Sequence, residues 1–122
     1  MTIIYVEDDS EDQEFFKDAI AVIAPHTTCY FASSCNEAFR IMKKIVIAPD
    51  YIFLDINMPE MNGKEFLKIV KTTPALKSIP VIIYSTSNSH RDMDECKTLG
   101  AVDFIVKPNN FADICATLKR YL

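Results

Sequence analysis

Polar side chains that could carry out chemistry follow four short apolar runs of the sequence. These polar segments are Glu7-Asp8-Asp9, Asp55-Ile56-Asn57, Ser85-Thr86-Ser87 and Lys107-Pro108. Carboxylates, together with water and a backbone carbonyl, are the ligands that suit Mg²⁺. A carboxylate can also attack a phosphoryl group and form an aspartyl phosphate. If the four segments meet in space, the sequence therefore predicts a metal-assisted phosphoryl-transfer site.

The residue types indicate different roles within such a site. Asp55 is the predicted nucleophile because it ends the central apolar run Tyr51–Leu54. Asp8 is the predicted direct metal ligand, and the Asn57 backbone carbonyl is a second one. We expect Asp55 to lie in the metal site as well, and Glu7 to act through a metal-bound water.

A cation and a hydroxyl complete the predicted site. Carboxylates held a few ångströms apart repel by a few kcal/mol at an effective dielectric constant of ~20. A bound divalent cation and the ammonium group of Lys107 would both relieve that repulsion. During phosphoryl transfer, Lys107 would also neutralise charge on the phosphoryl oxygens, and the Ser85 hydroxyl would help to position them.

The segments that must position these groups alternate between two patterns. Continuous β-branched and aromatic runs predict strands at Ile3–Val6, Thr28–Phe31, Tyr51–Leu54, Val81–Tyr84 and Val102–Val106. Amphipathic stretches follow each run and predict five helices. This alternation predicts an α/β fold with a doubly wound, five-stranded parallel sheet and helices on both faces. In such sheets ligands bind beyond the carboxyl ends of the strands, where all four polar segments lie.

Several helix boundaries carry their own signals. Ser34 with Glu37, and Asn62 with Glu65, have the spacing of a capping box. Gly100 follows an amphipathic stretch and predicts a helix end.

The acidic run continues beyond the first strand to Asp9, Glu11 and Asp12. Carboxylates are favourable at the start of a helix, so we interpret these three as capping or solvated groups rather than metal ligands.

Composition limits the classes of function. The chain has 122 residues, 49% of them hydrophobic, and a net charge of −4. This length fits one domain, and the mild acidity argues against a nucleic-acid partner. No apolar run is long enough to span a bilayer, and no basic leader precedes the first strand. The four cysteines are too scattered for a zinc site, which favours reduced thiols in a cytoplasmic protein.

The motifs together resemble the receiver domain of two-component response regulators. They are, in order, Glu7-Asp8, Asp55, Met58-Pro59, Asn62-Gly63, Ser85 and Lys107-Pro108. The resemblance covers essentially the whole chain. It implies a flavodoxin-like sheet with strand order 2-1-3-4-5, and one receiver domain over residues 1–122 that stands alone without an output domain. It also implies bound Mg²⁺ or Mn²⁺, a sensor histidine kinase or histidine phosphotransfer protein as donor, and an unknown protein target.

The same resemblance implies residue roles. Asp55 would be the phosphoacceptor and Ser85 the hydroxyl switch residue, while Glu7 and Asp8 would be the metal-binding pair. Lys107 would be the family's lysine, and its bond to Pro108 would be cis.

Two further positions, and one surface, follow from the likeness. Phe104 occupies the aromatic switch position, where many members have tyrosine. Thr86 stands where many have alanine, and its larger side chain would restrict access to the phosphoryl group. The surface that changes on phosphorylation would comprise the helix from about Ser89, the last strand and the final helix.

Three other interpretations remain open from the sequence. One is a degenerate receiver that binds partners without phosphorylation. Another is a haloacid-dehalogenase-like phosphatase, although Asp55-Ile56-Asn57 lacks the second acid of that motif. The third is a flavodoxin-like cofactor binder, although the acidic segment Glu7-Asp8-Asp9 would repel an FMN phosphate.

Overall fold

The computed structural model describes residues 1–58 and 62–122. Its strands are β1 (Thr2–Val6), β2 (Thr28–Ala32), β3 (Tyr51–Leu54), β4 (Val81–Ser85) and β5 (Asp103–Val106). Its helices are α1 (Ser10–Ile23), α2 (Cys35–Lys44), α3 (Gly63–Thr72), α4 (His90–Thr98) and α5 (Phe111–Lys119). Pro59, part of one motif singled out above, lies outside the described residues.

The five strands form one parallel sheet in the order β2-β1-β3-β4-β5. The predicted α/β architecture and strand order are therefore confirmed. Each strand lies within one residue of its predicted position at either end. The order reverses between β1 and β3, so the carboxyl ends of these two central strands flank the switch point of the sheet.

Alternate residues of the strands enter two separate cores. The core on one face includes Tyr5, Phe53 and Ile105, packed against α1 and α5. The core on the other face includes Ile4, Leu54 and Ile83, packed against α2, α3 and α4. Side chains of successive residues in a strand point to opposite faces of the sheet. Residues two positions apart therefore pack against the same set of helices.

The predicted helix boundaries are confirmed. The side chains of Ser34 and Asn62 accept hydrogen bonds from the backbone N–H groups of Glu37 and Glu65 and cap α2 and α3. Gly100 has a φ of 107°, a left-handed conformation that favours glycine directly after a helix. None of the helices in the described part of the chain is long and apolar enough to cross a membrane.

Gly63 begins α3 directly under the end of β3. A Cβ atom at this position would lie 2.5 Å from Ile56 Cα and 2.6 Å from the Asp55 carbonyl oxygen. Both neighbours are backbone atoms and cannot rotate away. The absent side chain of Gly63 therefore lets α3 pack against the loop that carries Asp55.

We expect Gly63→Ala to lower the free energy of unfolding by about 1–3 kcal/mol, because the added methyl group forces backbone atoms apart. Urea denaturation measures the change, with Lys17→Ala on the exposed side of α1 as the control. Equal stability of Gly63→Ala and the unmodified protein would contradict the close packing.

Candidate functional site

Glu7, Asp55 and Lys107 lie just beyond strands β1, β3 and β5. Each stands two residues after a member of the core under α1 and α5, namely Tyr5, Phe53 and Ile105. The period of two along a strand therefore points all three side chains to the same face of the sheet.

Backbone hydrogen bonds hold these three residues beyond the regular strands. The Glu7 N–H donates to the Ala32 carbonyl at 2.8 Å, and the Asp55 N–H donates to the Val6 carbonyl at 3.1 Å. The Lys107 N–H donates to the Ser85 carbonyl at 2.8 Å. The sheet ladder thus continues into the site and fixes where its side chains start.

The ammonium group of Lys107 lies among three carboxylates. It contacts Glu7 Oε1, lies 2.8 Å from Asp12 Oδ2 and 3.4 Å from Asp55 Oδ2. It also lies 5.9 Å from the centre of the Tyr84 ring. The Lys107 side chain is only 8% exposed, so water screens these charges weakly.

The pKa of Lys107 reflects this surrounding. Burial alone would lower it, but hydrogen bonds to Asp12 and Glu7 and the charge of Asp55 outweigh burial and hold the pKa above its usual value. The side chain is therefore a fixed positive charge at neutral pH.

Glu7 is 1% exposed, and each of its carboxylate oxygens accepts a hydrogen bond. Oε1 accepts from Lys107 and from the Tyr5 hydroxyl at 3.2 Å, while Oε2 accepts from the Asp9 N–H at 3.3 Å. Burial raises the pKa of Glu7 and the charge of Asp55 raises it further, whereas Lys107 opposes both. Glu7 is thus held firmly in a place where its charge is costly.

Asp55 is 6% exposed, and its two oxygens differ in their surroundings. Oδ1 accepts from the Asn57 N–H at 3.1 Å, and Oδ2 faces Lys107. The carboxylate is therefore oriented before any ligand binds. The backbone amide of Asn57 has a role in this orientation, while its carbonyl as a metal ligand stays a prediction.

Glu7, Asp8 and Asp55 can place one carboxylate oxygen each within 4.8 Å of the others. Asp8 is exposed and the other two are buried, so the group opens to water on the side of Asp8. Three oxygen donors with an open side fit a divalent cation that keeps several waters, such as Mg²⁺ or Mn²⁺. The residues present therefore fit the predicted metal.

Ser85 and Phe104 belong to the opposite face of the sheet. Ser85 is fully buried, and its Oγ accepts from the Ser87 N–H at 3.3 Å. Phe104 is half-buried against the core under α2, α3 and α4, and pairs in register with Ile83, which precedes Ser85 by two residues. The two predicted switch residues thus share a face with each other, but not with the side chain of Lys107.

Thr86 points to the face of Lys107. It is exposed and lines a groove together with Asp12, Tyr84 and Lys107. Its effect on access to the phosphoryl group stays a prediction.

Two expectations from the sequence were wrong. The Lys107–Pro108 peptide bond is trans, not cis; trans is the intrinsically preferred isomer of an X–Pro bond by about 0.5–1 kcal/mol. Asp12 is not a merely capping or solvated carboxylate, because it pairs with Lys107. The capping role belongs to Asp9, whose side chain accepts from the N–H groups of Glu11 and Asp12.

Sequence reasoning also missed Tyr5, whose hydroxyl donates to Glu7. The signal was available, because Tyr5 precedes Glu7 by two residues on one strand and must share its face. Asp12 had no comparable signal. Only the packing of α1 on the sheet places its carboxylate beside a lysine 95 residues later.

A model of the response regulator receiver domain matches residues 3–119 of the chain. The chain belongs to this family. A rice (Oryza sativa subsp. japonica) two-component response regulator, ORR1, is 45% identical over 67 residues, which cover 55% of this chain and 29% of that protein. A Treponema denticola protein-glutamate methylesterase/protein-glutamine glutaminase is 39% identical over 94 residues, 71% of this chain and 25% of that protein. The receiver therefore matches less than a third of either relative.

Solved structures agree with the assignment. The phosphorylated cyanobacterial phytochrome response regulator RcpA has a TM-score of 0.88 at 28% identity, covering 98% of this chain and 89% of that one. The Vibrio cholerae chemotaxis protein CheY4 has a TM-score of 0.82 at 28% identity, covering 99% and 98%. Receivers are signalling modules of two-component systems rather than conventional enzymes.

Without divalent cations, we expect the free energy of unfolding to fall as pH rises from about 4.5 to about 7. Folding raises the pKa of Glu7 to about 7 from 4.5, mainly through burial. The native state therefore keeps a proton in this range that the unfolded chain releases. Urea denaturation at successive pH values in EDTA measures the slope.

Glu7→Gln is the matched control for this prediction because it cannot titrate. We expect the variant to lose the part of the slope that Glu7 contributes. Identical pH profiles for Glu7→Gln and the unmodified protein would exclude Glu7 as its source.

Proposed function

We propose that this receiver accepts a phosphoryl group on Asp55 in the presence of Mg²⁺ or Mn²⁺ and thereby changes its binding to a target protein. The donor would be a phosphohistidine of a sensor histidine kinase or a histidine phosphotransfer protein. The observation that carries the proposal is the Lys107 ammonium among Glu7, Asp12 and Asp55 at the carboxyl edge of the sheet.

In the transfer step, an Asp55 carboxylate oxygen forms a bond to phosphorus while the phosphorus–nitrogen bond of the donor breaks. The electron pair of that bond stays on the imidazole nitrogen, and the ring is left neutral because its other nitrogen carries a proton. Asp55 suits this role because its carboxylate is oriented and little exposed.

Negative charge on the incoming phosphoryl group is the main obstacle in this acidic site. A metal bound by Glu7, Asp8 and Asp55 would supply positive charge beside the phosphoryl oxygens. Lys107 supplies a permanent positive charge 3.4 Å from Asp55. We assign it the role of holding one phosphoryl oxygen, for which it would exchange part of its present contact with the carboxylates.

The same set of residues favours phosphorylation over binding alone. A degenerate receiver has no need to keep a buried carboxylate oriented toward a buried lysine, which is costly for stability. RcpA, which shares the fold, has been solved in a phosphorylated form. Membership of the receiver family also leaves the phosphatase and cofactor-binding interpretations without support.

The route from Asp55 to the surface begins at Ser85. Ser85 lies on the opposite face from Lys107, so its hydroxyl would have to turn toward Asp55 to donate to the phosphoryl group, and this turn would change its contact with the Ser87 N–H. The Ser87 hydroxyl donates to Asp92 of α4, and Asp92 pairs with Lys64 of α3 at 2.6 Å. A shift of Ser85 would therefore affect Ser87, whose hydroxyl contacts Asp92 of α4.

Phe104 would respond to the same shift. It lies on the same face of the sheet as Ser85 and borders a cavity with Met93 and Cys96 of α4. Its half-buried ring can move inward if the loop after β4 moves away. We therefore infer that the surface of α4, β5 and α5 changes on phosphorylation and binds the target protein.

A protein donor has an accessible place beside the site. Phe15 of α1 is 45% exposed and Phe111 of α5 is 41% exposed. Both line the groove that contains Lys107 and Thr86. Exposed aromatic rings next to a charged site favour contact with a protein partner.

The sequence also predicts that the receiver stands alone and lies in the cytoplasm. Both of these stay predictions.

We expect acetyl phosphate with Mg²⁺ to add one phosphoryl group to the protein, measured by intact-protein mass spectrometry. Asp55→Ala should abolish the gain because it removes the nucleophile. Asp18→Ala, at an exposed position of α1, is the matched control and should label normally. Unchanged labelling of Asp55→Ala, or no labelling of the unmodified protein, would refute the proposed acceptor.

We expect Thr86→Ala to shorten the lifetime of the phosphorylated form, because the smaller side chain opens the approach for water. Loss of the labelled mass over time after removal of acetyl phosphate gives the hydrolysis rate. Asn88→Ala, at an exposed position of the same loop, serves for comparison. A hydrolysis rate for Thr86→Ala at or below that of the unmodified protein would show that Thr86 does not restrict access.

A further inference from the structure

We propose that Tyr5 is a positioning residue that acts through Glu7 to set the affinity of the site for a divalent cation. The inference deepens the proposed function and rests on it, since it assigns a role at the same metal site. It concerns a residue in the middle of the core, which touches neither the phosphoryl group nor the metal.

The Tyr5 ring is packed as a core aromatic residue. It is fully buried, stacks on Phe16 with ring centres 4.1 Å apart, and meets the rings of Phe31 and Tyr84 edge-on at 6.3 Å and 5.8 Å. Phenylalanine would make all of these ring contacts. Packing therefore accounts for the ring of Tyr5 but not for its hydroxyl.

The hydroxyl has a partner in the functional site. It donates to Glu7 Oε1 at 3.2 Å in a buried contact. A buried tyrosine hydroxyl needs such a partner, and a carboxyl oxygen can accept its hydrogen bond. The two residues lie two positions apart on one strand, so the geometry of β1 itself sets their separation.

This contact restricts how Glu7 can turn. Oε1 is shared between Tyr5 and Lys107, and Oε2 accepts from the Asp9 N–H. Three donors thus fix both ends of the carboxylate. Of these donors, Tyr5 is the one that lies in the core. Lys107, by contrast, also faces Asp55 and would bind the phosphoryl group.

A fixed Glu7 matters for a metal because its carboxylate lies within 4.8 Å of oxygens of Asp8 and Asp55. Groups that orient metal-binding carboxylates usually change metal affinity about 10–100-fold when they are removed. Tyr5 would therefore hold the Glu7 carboxylate in one orientation. In that orientation the carboxylate stays beside the cation but does not occupy the cation's position.

The test is a calorimetric titration with Mg²⁺ at one pH. We expect Tyr5→Phe to weaken binding about 10-fold or more. The matched control is Tyr51→Phe, which removes a hydroxyl from a half-buried tyrosine that packs against the same core, and we expect it to bind as the unmodified protein does. Equal affinities of Tyr5→Phe and the unmodified protein would overturn the inference.

A double-mutant cycle separates positioning from a general structural effect. In a Glu7→Gln background, Tyr5→Phe should weaken Mg²⁺ binding much less, because the carboxylate that it positions is gone. The same loss in both backgrounds would mean that Tyr5 does not act through Glu7. Thermal unfolding of each variant shows whether the fold is retained.

A measurement on the unmodified sequence guards against a variant that fails to fold. In protein labelled with ¹³C at the tyrosine ring carbon that bears the hydroxyl, Mg²⁺ should shift the Tyr5 signal and leave the Tyr51 signal in place. No shift of Tyr5 on saturation with Mg²⁺ would also overturn the inference.

The outcomes distinguish this inference from the proposed function. If Asp55 is phosphorylated normally but Tyr5→Phe leaves the Mg²⁺ affinity unchanged, only the positioning role fails. If Mg²⁺ binding depends on Tyr5 but acetyl phosphate leaves Asp55 unlabelled, only the proposed acceptor fails. A protein that binds neither Mg²⁺ nor Mn²⁺ would overturn both.

Discussion

The placement of the Lys107 ammonium among Glu7, Asp12 and Asp55 is the interaction on which the site depends. Among the described residues, these three carboxylates face one buried lysine, so carboxylates outnumber ammonium groups in the site. Such a site favours an added cation, and the two buried carboxylates make its loss costly. In the proposed phosphoryl transfer, a metal and Lys107 would offset this negative charge beside the phosphoryl oxygens.

In the proposed function, the sheet separates the phosphoryl chemistry from the surface that would change in response. Glu7, Asp55 and Lys107 point to the face of α1 and α5, while Ser85 and Phe104 point to the face of α3 and α4. The proposed communication between the faces would pass around the end of β4, whose loop contacts α4 through Ser87.

The sequence predicted much of this arrangement for identifiable reasons. Continuous apolar runs fixed the strands, because a parallel strand is buried on both faces. The polar residues at the strand ends then had to share one edge of the sheet. The prediction failed for Asp12, because carboxylates in a first helical turn usually face water. It also failed at Lys107–Pro108, where resemblance to a family does not decide the isomer of one bond.

By itself, the sequence determined the order of elements, the edge of the sheet that carries the site and the identity of Asp55 as its central carboxylate. These follow from periodicity and residue type, which are local properties of the chain. Only the tertiary structure decided that Asp12 joins the site, and which oxygen of Glu7 the Tyr5 hydroxyl contacts. The first depends on how α1 packs on the sheet and the second on side-chain rotamers, whereas the shared face of Tyr5 and Glu7 already follows from their spacing on β1.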